Sequence, residues 1–301
     1  MFPAELQNLE ASYDLRQALA DQGFSIRNVV KIERLTASTG KEFVFVLFED
    51  GAGRKLSILD GELARNIGTR SDSYLGSLML ADGIGNIISG QLRLDATTET
   101  FSQTFADADL LGDGRSGFWD PSLTNSYVLF SPNQLQLERK TFSAGFSVAG
   151  TSSGAQNLFS AAPAEQYTLT DLLYTGPSSP FYLLFTVSGQ GEYPFVMRFP
   201  DVATFHTAMM TPPLQNWQNL SYRIPIRPQD RRVWLTADGL VVFESDRESR
   251  LVRYALDSGA ELDSKTVEGE WMSGLSFESD GDYWYYYDSR TGRLMKLWTW
   301  W

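Results

Sequence analysis

Cysteine is absent from all 301 residues, which removes disulfides, thiolate metal sites and cysteine nucleophiles together. Histidine is nearly absent too: His206 stands alone. No apolar run reaches 18 residues, so no transmembrane segment is expected. A basic-then-apolar leader is also missing, although Met1-Phe-Pro-Ala reads as a start placed after a removed leader. Positive charge is in deficit, with 25 Lys and Arg against 37 Asp and Glu, a net charge of −12 and a pI near 4.6. Such a surface repels phosphate backbones, which excludes nucleic acid as a partner. The lack of cysteine fits a periplasmic or cell-surface protein without requiring one, and a cytoplasmic location stays open.

What is present points to a folded β protein. The chain is 43% hydrophobic, 21% charged and 13% aromatic, with 25 glycines, a balance of strand formers and turn residues. Its last seventy residues write one pattern twice, at Val233–Leu256 and Leu275–Trp298. In each, an apolar strand meets Asp-Gly, a second apolar strand follows, and a polar turn leads to Arg-Leu at the start of a third. Asp238 and Asp280 stand 42 residues apart, Arg250 and Arg293 43 apart. A period of about 40–45 residues with several strands per repeat is the mark of a propeller blade.

The same unit can be followed upstream, with blades expected near 29–69, 70–107, 108–150, 165–215, 230–268 and 270–301. Ser116-Gly117 opens the third as Ser273-Gly274 opens the last. Two long segments, 143–166 and 201–230, interrupt the period and read as insertions. Residues 3–22 place Leu6, Leu9 and Tyr13 at helical spacing before Gly23, while Leu15 and Leu19 fall off that stripe. An extended strand within 1–28 is the competing reading. The sixth unit stops after its third strand, and an open edge would leave unpaired N–H and C=O groups. The N-terminal segment is therefore expected to pair with Leu294–Trp301, giving one all-β domain, a six-bladed propeller of four-stranded antiparallel blades closed by that segment.

Leu235-Thr-Ala-Asp-Gly-Leu-Val-Val-Phe and Tyr285-Tyr-Tyr-Asp-Ser-Arg-Thr-Gly-Arg-Leu-Met-Lys resemble blades of the six-bladed NHL and TolB-like propellers. The resemblance covers 232–298 well, 29–95 fairly and the middle third weakly. It implies architecture alone, because those families include scaffolds, sensors, lactonases and lyases.

Candidate sites divide between chemistry and scaffold. Asp50, Asp246 and Asp288 precede Arg54, Arg250 and Arg293, a repetition that fits an Asp–Arg tie within each blade better than one asymmetric active site. Asp107–Arg115 resembles the calcium loop of FG-GAP repeats, with Asp109 and Asp113 as metal ligands, yet Leu111 and Gly117 occupy two positions that require oxygen donors. His206 has neither a cysteine partner nor a Gly-x-Ser-x-Gly elbow nearby and reads as a structural or incidental residue in a loop. Asp120, Asn125, Asp171 and Glu278 lie in or beside inner strands and could converge on a channel. The aromatic run Tyr283–Tyr287 alternates between two buried faces, Trp284 and Tyr286 against Tyr283, Tyr285 and Tyr287. Trp217, Met209 and Met210 in the second insertion, with Trp300 and Trp301 at the C-terminus, are the apolar groups best suited to bind a protein partner. The function expected is thus a non-catalytic binding or scaffold propeller, acting outside the cytoplasm without a cofactor. The alternative is a metal-dependent, lactonase-like hydrolase or lyase at the channel mouth, using calcium.

Overall fold

A computed structural model describes residues 9–37, 39–71, 79–81, 86–89, 92–103, 116–120, 126–131, 136–141, 151–157, 166–188, 193–210, 218–221, 232–245, 249–267, 272–277 and 282–299. Its strands form six four-stranded antiparallel sheets. The first holds β2 (Asn28–Thr36), β3 (Glu42–Asp50), β4 (Gly53–Asp60) and β5 (Asn66–Arg70), and the second β6 (Met79–Ala81), β7 (Asn86–Ser89), β8 (Leu92–Asp95) and β9 (Thr100–Gln103). The third comprises β10 (Ser116–Trp119), β11 (Ser126–Ser131), β12 (Gln136–Thr141) and β13 (Thr151–Asn157). The fourth comprises β14 (Gln166–Leu173), β15 (Phe181–Ser188), β16 (Tyr193–Phe199) and β17 (Gln218–Ser221). The fifth runs through β18 (Val233–Thr236), β19 (Gly239–Ser245), β20 (Ser249–Tyr254) and β21 (Glu261–Thr266). The last orders β1 (Leu9–Tyr13), β24 (Arg293–Trp298), β23 (Tyr283–Asp288) and β22 (Met272–Phe277).

The opening strand of each sheet touches the opening strand of the next, β2 to β6, β6 to β10, and on through β14 and β18 to β22, which returns to β2. This is an all-β propeller. Packing follows from the alternation of strand side chains. On β3, Phe43, Phe45 and Leu47 join Ile87 and Leu94 of the second sheet, while Val44, Val46 and Phe48 join Tyr285, Tyr287 and Leu294 of the last. On β23, Trp284 and Tyr286 pack with Val241 and Phe243 of the fifth sheet. A strand buried on both faces needs an apolar run, and Phe-Val-Phe-Val-Leu-Phe of 43–48 supplies one. The Ser-Gly starts have a steric cause. Gly274 sits at φ +62 and a Cβ there would fall 2.4 Å from Val29 Cγ1, so its absence lets β22 lie close against β2.

The N-terminal segment is a strand before it is a helix. β1 pairs antiparallel with β24, Leu9 opposite Leu297 and Tyr13 opposite Leu294. Arg293 Nη2 donates to Ser12 Oγ at 2.7 Å across this pair. Helix α1 (Leu15–Ala20) follows, with the Asp14 side chain accepting from the Gln17 N–H. Leu15 and Leu19, off the stripe read from sequence, are its buried residues. That stripe failed because Leu9 and Tyr13 belong to the strand. Gly23 ends the helix at φ +83, its N–H bonded to the Ala20 carbonyl.

The two expected insertions also carry regular structure. Within 143–166 lies β13, the fourth strand of its sheet. Within 201–230 lie β17 and a second helix, α2 (Val202–Met210). Asp201 caps this helix through the Thr204 N–H at 2.6 Å, and Val202, Phe205 and Met209 form its buried stripe. That three-and-four spacing was present in the sequence, masked by the prolines that follow.

Leu15→Ala removes a fully buried side chain from the seam between the N-terminal segment and the first sheet. It should cost about 2–5 kcal/mol in urea unfolding. Leu262→Ala, at a half-exposed position, should change stability by no more than about 0.5 kcal/mol.

Candidate functional site

Among the described residues, the inner strands β2 and β14 mix buried apolar side chains with polar ones. On β2, Val29 and Ile32 are buried against the last sheet, whereas Val30, Lys31 and Glu33 keep exposed surface. Lys31 and Glu33 are two residues apart, on one face, and their side chains pair at 2.6 Å. On β14 a register shift between Leu169 and Asp171 accompanies a carboxyl with two amide partners. Asp171 Oδ1 accepts the Leu172 N–H and Oδ2 the Leu235 N–H, each at 2.8 Å. The second bond crosses to β18, so this carboxyl stitches the fourth sheet to the fifth.

These groups line a cavity of about 390 Å³ between strands β2, β14, β18 and β22, together with Arg232, Trp234 and Ser276. In the ring order the first and fourth sheets face each other with two sheets between them on either side. Lys31 and Glu33 therefore act on Asp171 across the axis. Burial pushes the Asp171 carboxyl up to about 7, and Glu33 adds to the shift, while the Leu235 and Leu172 amides and Lys31 oppose it. Burial works against the Lys31 ammonium, but Glu33 and Asp171 outweigh it and leave its pKa raised. The Asp171 carboxyl can therefore take up or release a proton near neutral pH. Among the described residues no group of three or more His, Asp or Glu is placed to share a metal ion.

A second polar cluster lies between the third and fourth sheets. His206 Nε2 stands 2.6 Å from Asp120 Oδ2, and Asp120, 1% exposed, follows β10 and donates its N–H to the Ser126 carbonyl at 2.9 Å. Next to His206, Phe205 packs on Phe181 and Phe199 with ring centroids 4.9 and 5.2 Å apart. Burial presses the Arg139 guanidinium below its ordinary pKa, and Asp120 works against that. The pair thus ties α2 to the end of β10, so this histidine is structural but stands in a helix and not in the expected loop.

The residues singled out from sequence separate as follows. Met209 is 1% exposed and belongs to the core around Phe205, so it is not a contact residue; Met210 ends α2. Trp217, Trp300, Trp301, Asp109, Asp113, Asn125, Asp246 and Glu278 lie outside the described residues. Asp50 and Asp288 shape turns more directly than they pair with arginine. Asp50 accepts the Ala52 N–H at 2.7 Å and lies 3.8 Å from Lys55. Asp288 accepts the Arg290 N–H at 2.9 Å and the Thr291 hydroxyl at 2.8 Å. Arg54 approaches Glu49 and Arg250 approaches Glu261, at 3.8 and 3.3 Å. Among the described residues, these charges pair locally with partners other than those the repeat suggested. Lys31, Glu33, Arg232 and Trp234 were missed. The available signal was a pair of charges in a strand that opens a repeat, where the inner face meets the axis.

No family model matches the chain, and no curated protein is similar to it. Among solved structures, it resembles the crystal structure of the Myceliophteria thermophila Cps50 (Swd1) β-propeller domain at a TM-score of 0.54 and 10% identity, covering 90% of this chain and 97% of that one. A chain in a crystal structure of the mitotic checkpoint complex is matched at a TM-score of 0.45 and 9% identity, over 93% of this chain and 76% of that one. The first likeness supports the propeller fold and no particular activity.

Because the folded-state pKa of Asp171 is raised, its contribution to stability is present in full below about pH 4 and is lost as pH rises through about 7. Wild-type stability relative to Asp171→Asn should therefore fall across that window, by up to roughly 1.4 kcal/mol per pH unit, and level off above it. Urea unfolding of both proteins across the pH range checks this. His206→Ala should cost about 1–3 kcal/mol, since it strips a buried carboxyl of a hydrogen-bond partner. Equal stability of this variant and wild type would show that the pair does not hold α2.

Proposed function

We propose that the protein is a non-catalytic binding platform: one six-bladed propeller of the NHL and TolB-like type spanning residues 1–301, working through protein contacts outside the cytoplasm. The six-blade reading is supported by the contact of β22 with β2 and by β1 completing the last sheet. The extracytoplasmic part rests on the cysteine-free composition.

The observation that carries the binding reading is where large apolar side chains stay in water. Leu262 is the second residue of β21 and is 50% exposed, Leu9 opens β1 and is 37% exposed, and Trp298 ends β24 and is 52% exposed. Outer strands of neighbouring sheets begin where the third strands end, so all three residues lie toward one face of the ring, on the fifth and last sheets. Half-exposed Trp and Leu on a rigid rim are suited to a protein partner. At the axis, by contrast, Glu33 is paired with Lys31 on its own strand and Asp171 accepts an amide from the neighbouring sheet.

Two measurements test this. Immobilised wild type should retain a partner from native extract that a Leu9→Ser, Leu262→Ser, Trp298→Ser triple variant of equal Tm does not retain. The same partner held equally by both would sink the assignment of this rim. Millimolar calcium should leave Tm unchanged, because a site filled only in the folded state raises it. A clear rise would favour the metal-dependent hydrolase or lyase instead.

A further inference from the structure

We propose that the axial cavity binds a small organic amine, with the ammonium group seated against the Asp171 carboxyl. The cavity's 390 Å³ falls within the range of about 300–1,000 Å³ usual for small-molecule sites. Its polar groups favour a cation over an anion. Lys31 is already committed to Glu33 at 2.6 Å, and the Arg232 guanidinium lies 5.4 Å over the Phe243 ring. Asp171 is held by backbone amides, and among the described residues no ion pair is made to it. Each of its oxygens keeps a further lone pair for a donor. Trp234 offers an aromatic surface to methylene groups or to the cation itself, while Ser273 and Ser276 line the same space. A net charge of −12 and low-dielectric walls draw cations into such a channel.

The seat also carries a pH signature. Asp171 faces Glu33 and Lys31 from β2 and the amides of Leu172 and Leu235, while Arg232, from the segment entering β18, lines the same cavity with its guanidinium over Phe243. With the carboxyl held at about 7, proton and ammonium compete for it near neutrality. Glu33 strengthens the site for a cation and Lys31 opposes it.

Isothermal titration calorimetry with 1,4-diaminobutane, run between about pH 5.5 and pH 8, tests the assignment. Affinity should rise at least about tenfold over that range, since the carboxyl must lose its proton before it can hold the ammonium. Asp171→Asn should weaken binding at the upper pH by at least about tenfold and remove the pH dependence. Should that variant fail to fold, the wild-type pH series decides alone. No heat at millimolar diamine near pH 8, an affinity indifferent to pH, or acetate binding as tightly as the diamine would overturn the proposal. So would displacement of the diamine by equimolar calcium, which would identify a metal seat. None of these results depends on whether the apolar rim recruits a protein.

Discussion

Every other feature of the molecule depends on closing a ring of sheets, and closure rests on five residues at the start of the described chain. Without β1, strand β24 would present a row of unpaired amides and carbonyls, and the last sheet would lack its outer strand. The pairing of Leu9–Tyr13 with β24 supplies those bonds, and Arg293 locks the register by reaching Ser12. Hydrogen bonds alone would not hold so short a strand against the entropy of ordering it. Helix α1 provides the weight: Leu15 and Leu19 are fully buried in the cluster shared by the last and first sheets. The Arg16 N–H bonds the Gly292 carbonyl at 3.0 Å, tying the helix to the turn before β24.

This mode of closure explains which parts of the fold were legible in the residues. A sheet packed between two others must be apolar on both faces of its middle strands, so 43–48 and 240–243 announce themselves without alignment. Turns repeat because each sheet is built alike, hence the Asp-Gly and Ser-Gly marks. Short elements fixed by distant partners were not legible. Leu9 and Tyr13 fit a helical stripe as well as a strand, and β24, almost three hundred residues away, makes the choice. Helix α2 failed for a different reason. Its stripe of Val202, Phe205 and Met209 is short, and the prolines at 212 and 213 disguise the segment as a loop.

The sites were legible by halves. Asp171 could be nominated because it is an acidic residue in or beside a predicted inner strand, where such residues could converge on a channel. The sequence could not say what holds it, since the Leu235 amide comes from another sheet and Lys31 and Glu33 from the far side of the axis. Asp120 was nominated for the same reason and has the opposite fate, engaged with His206 to dock a helix. Met209 shows the limit of composition: a methionine beside prolines suits an exposed contact, yet helical phase turns it into the core. Asp50 and Asp288 repeat because turns need capping, which explains why their supposed arginine partners differ from sheet to sheet.

The axis and the rim can be set against each other on energetic grounds. A carboxyl pushed to about 7 imposes a cost on the fold at neutral pH that an uncharged side chain would avoid. Two backbone amides offset part of it, and the stitch from β14 to β18 is a structural return. That return does not require an acid, because a neutral acceptor can also take an amide proton. Nor does it require the facing Glu33, which raises the cost further. A ring built solely for stiffness would fill its axis with small or apolar residues and spare itself the charges. Their presence beside a cavity, in a chain whose exposed Leu and Trp side chains stand on the rim, places two separate physical demands on one scaffold. On the proposed reading, recognition at the rim would draw on the area and rigidity of the ring, and a cation bound at the axis would relieve the cost of its charge.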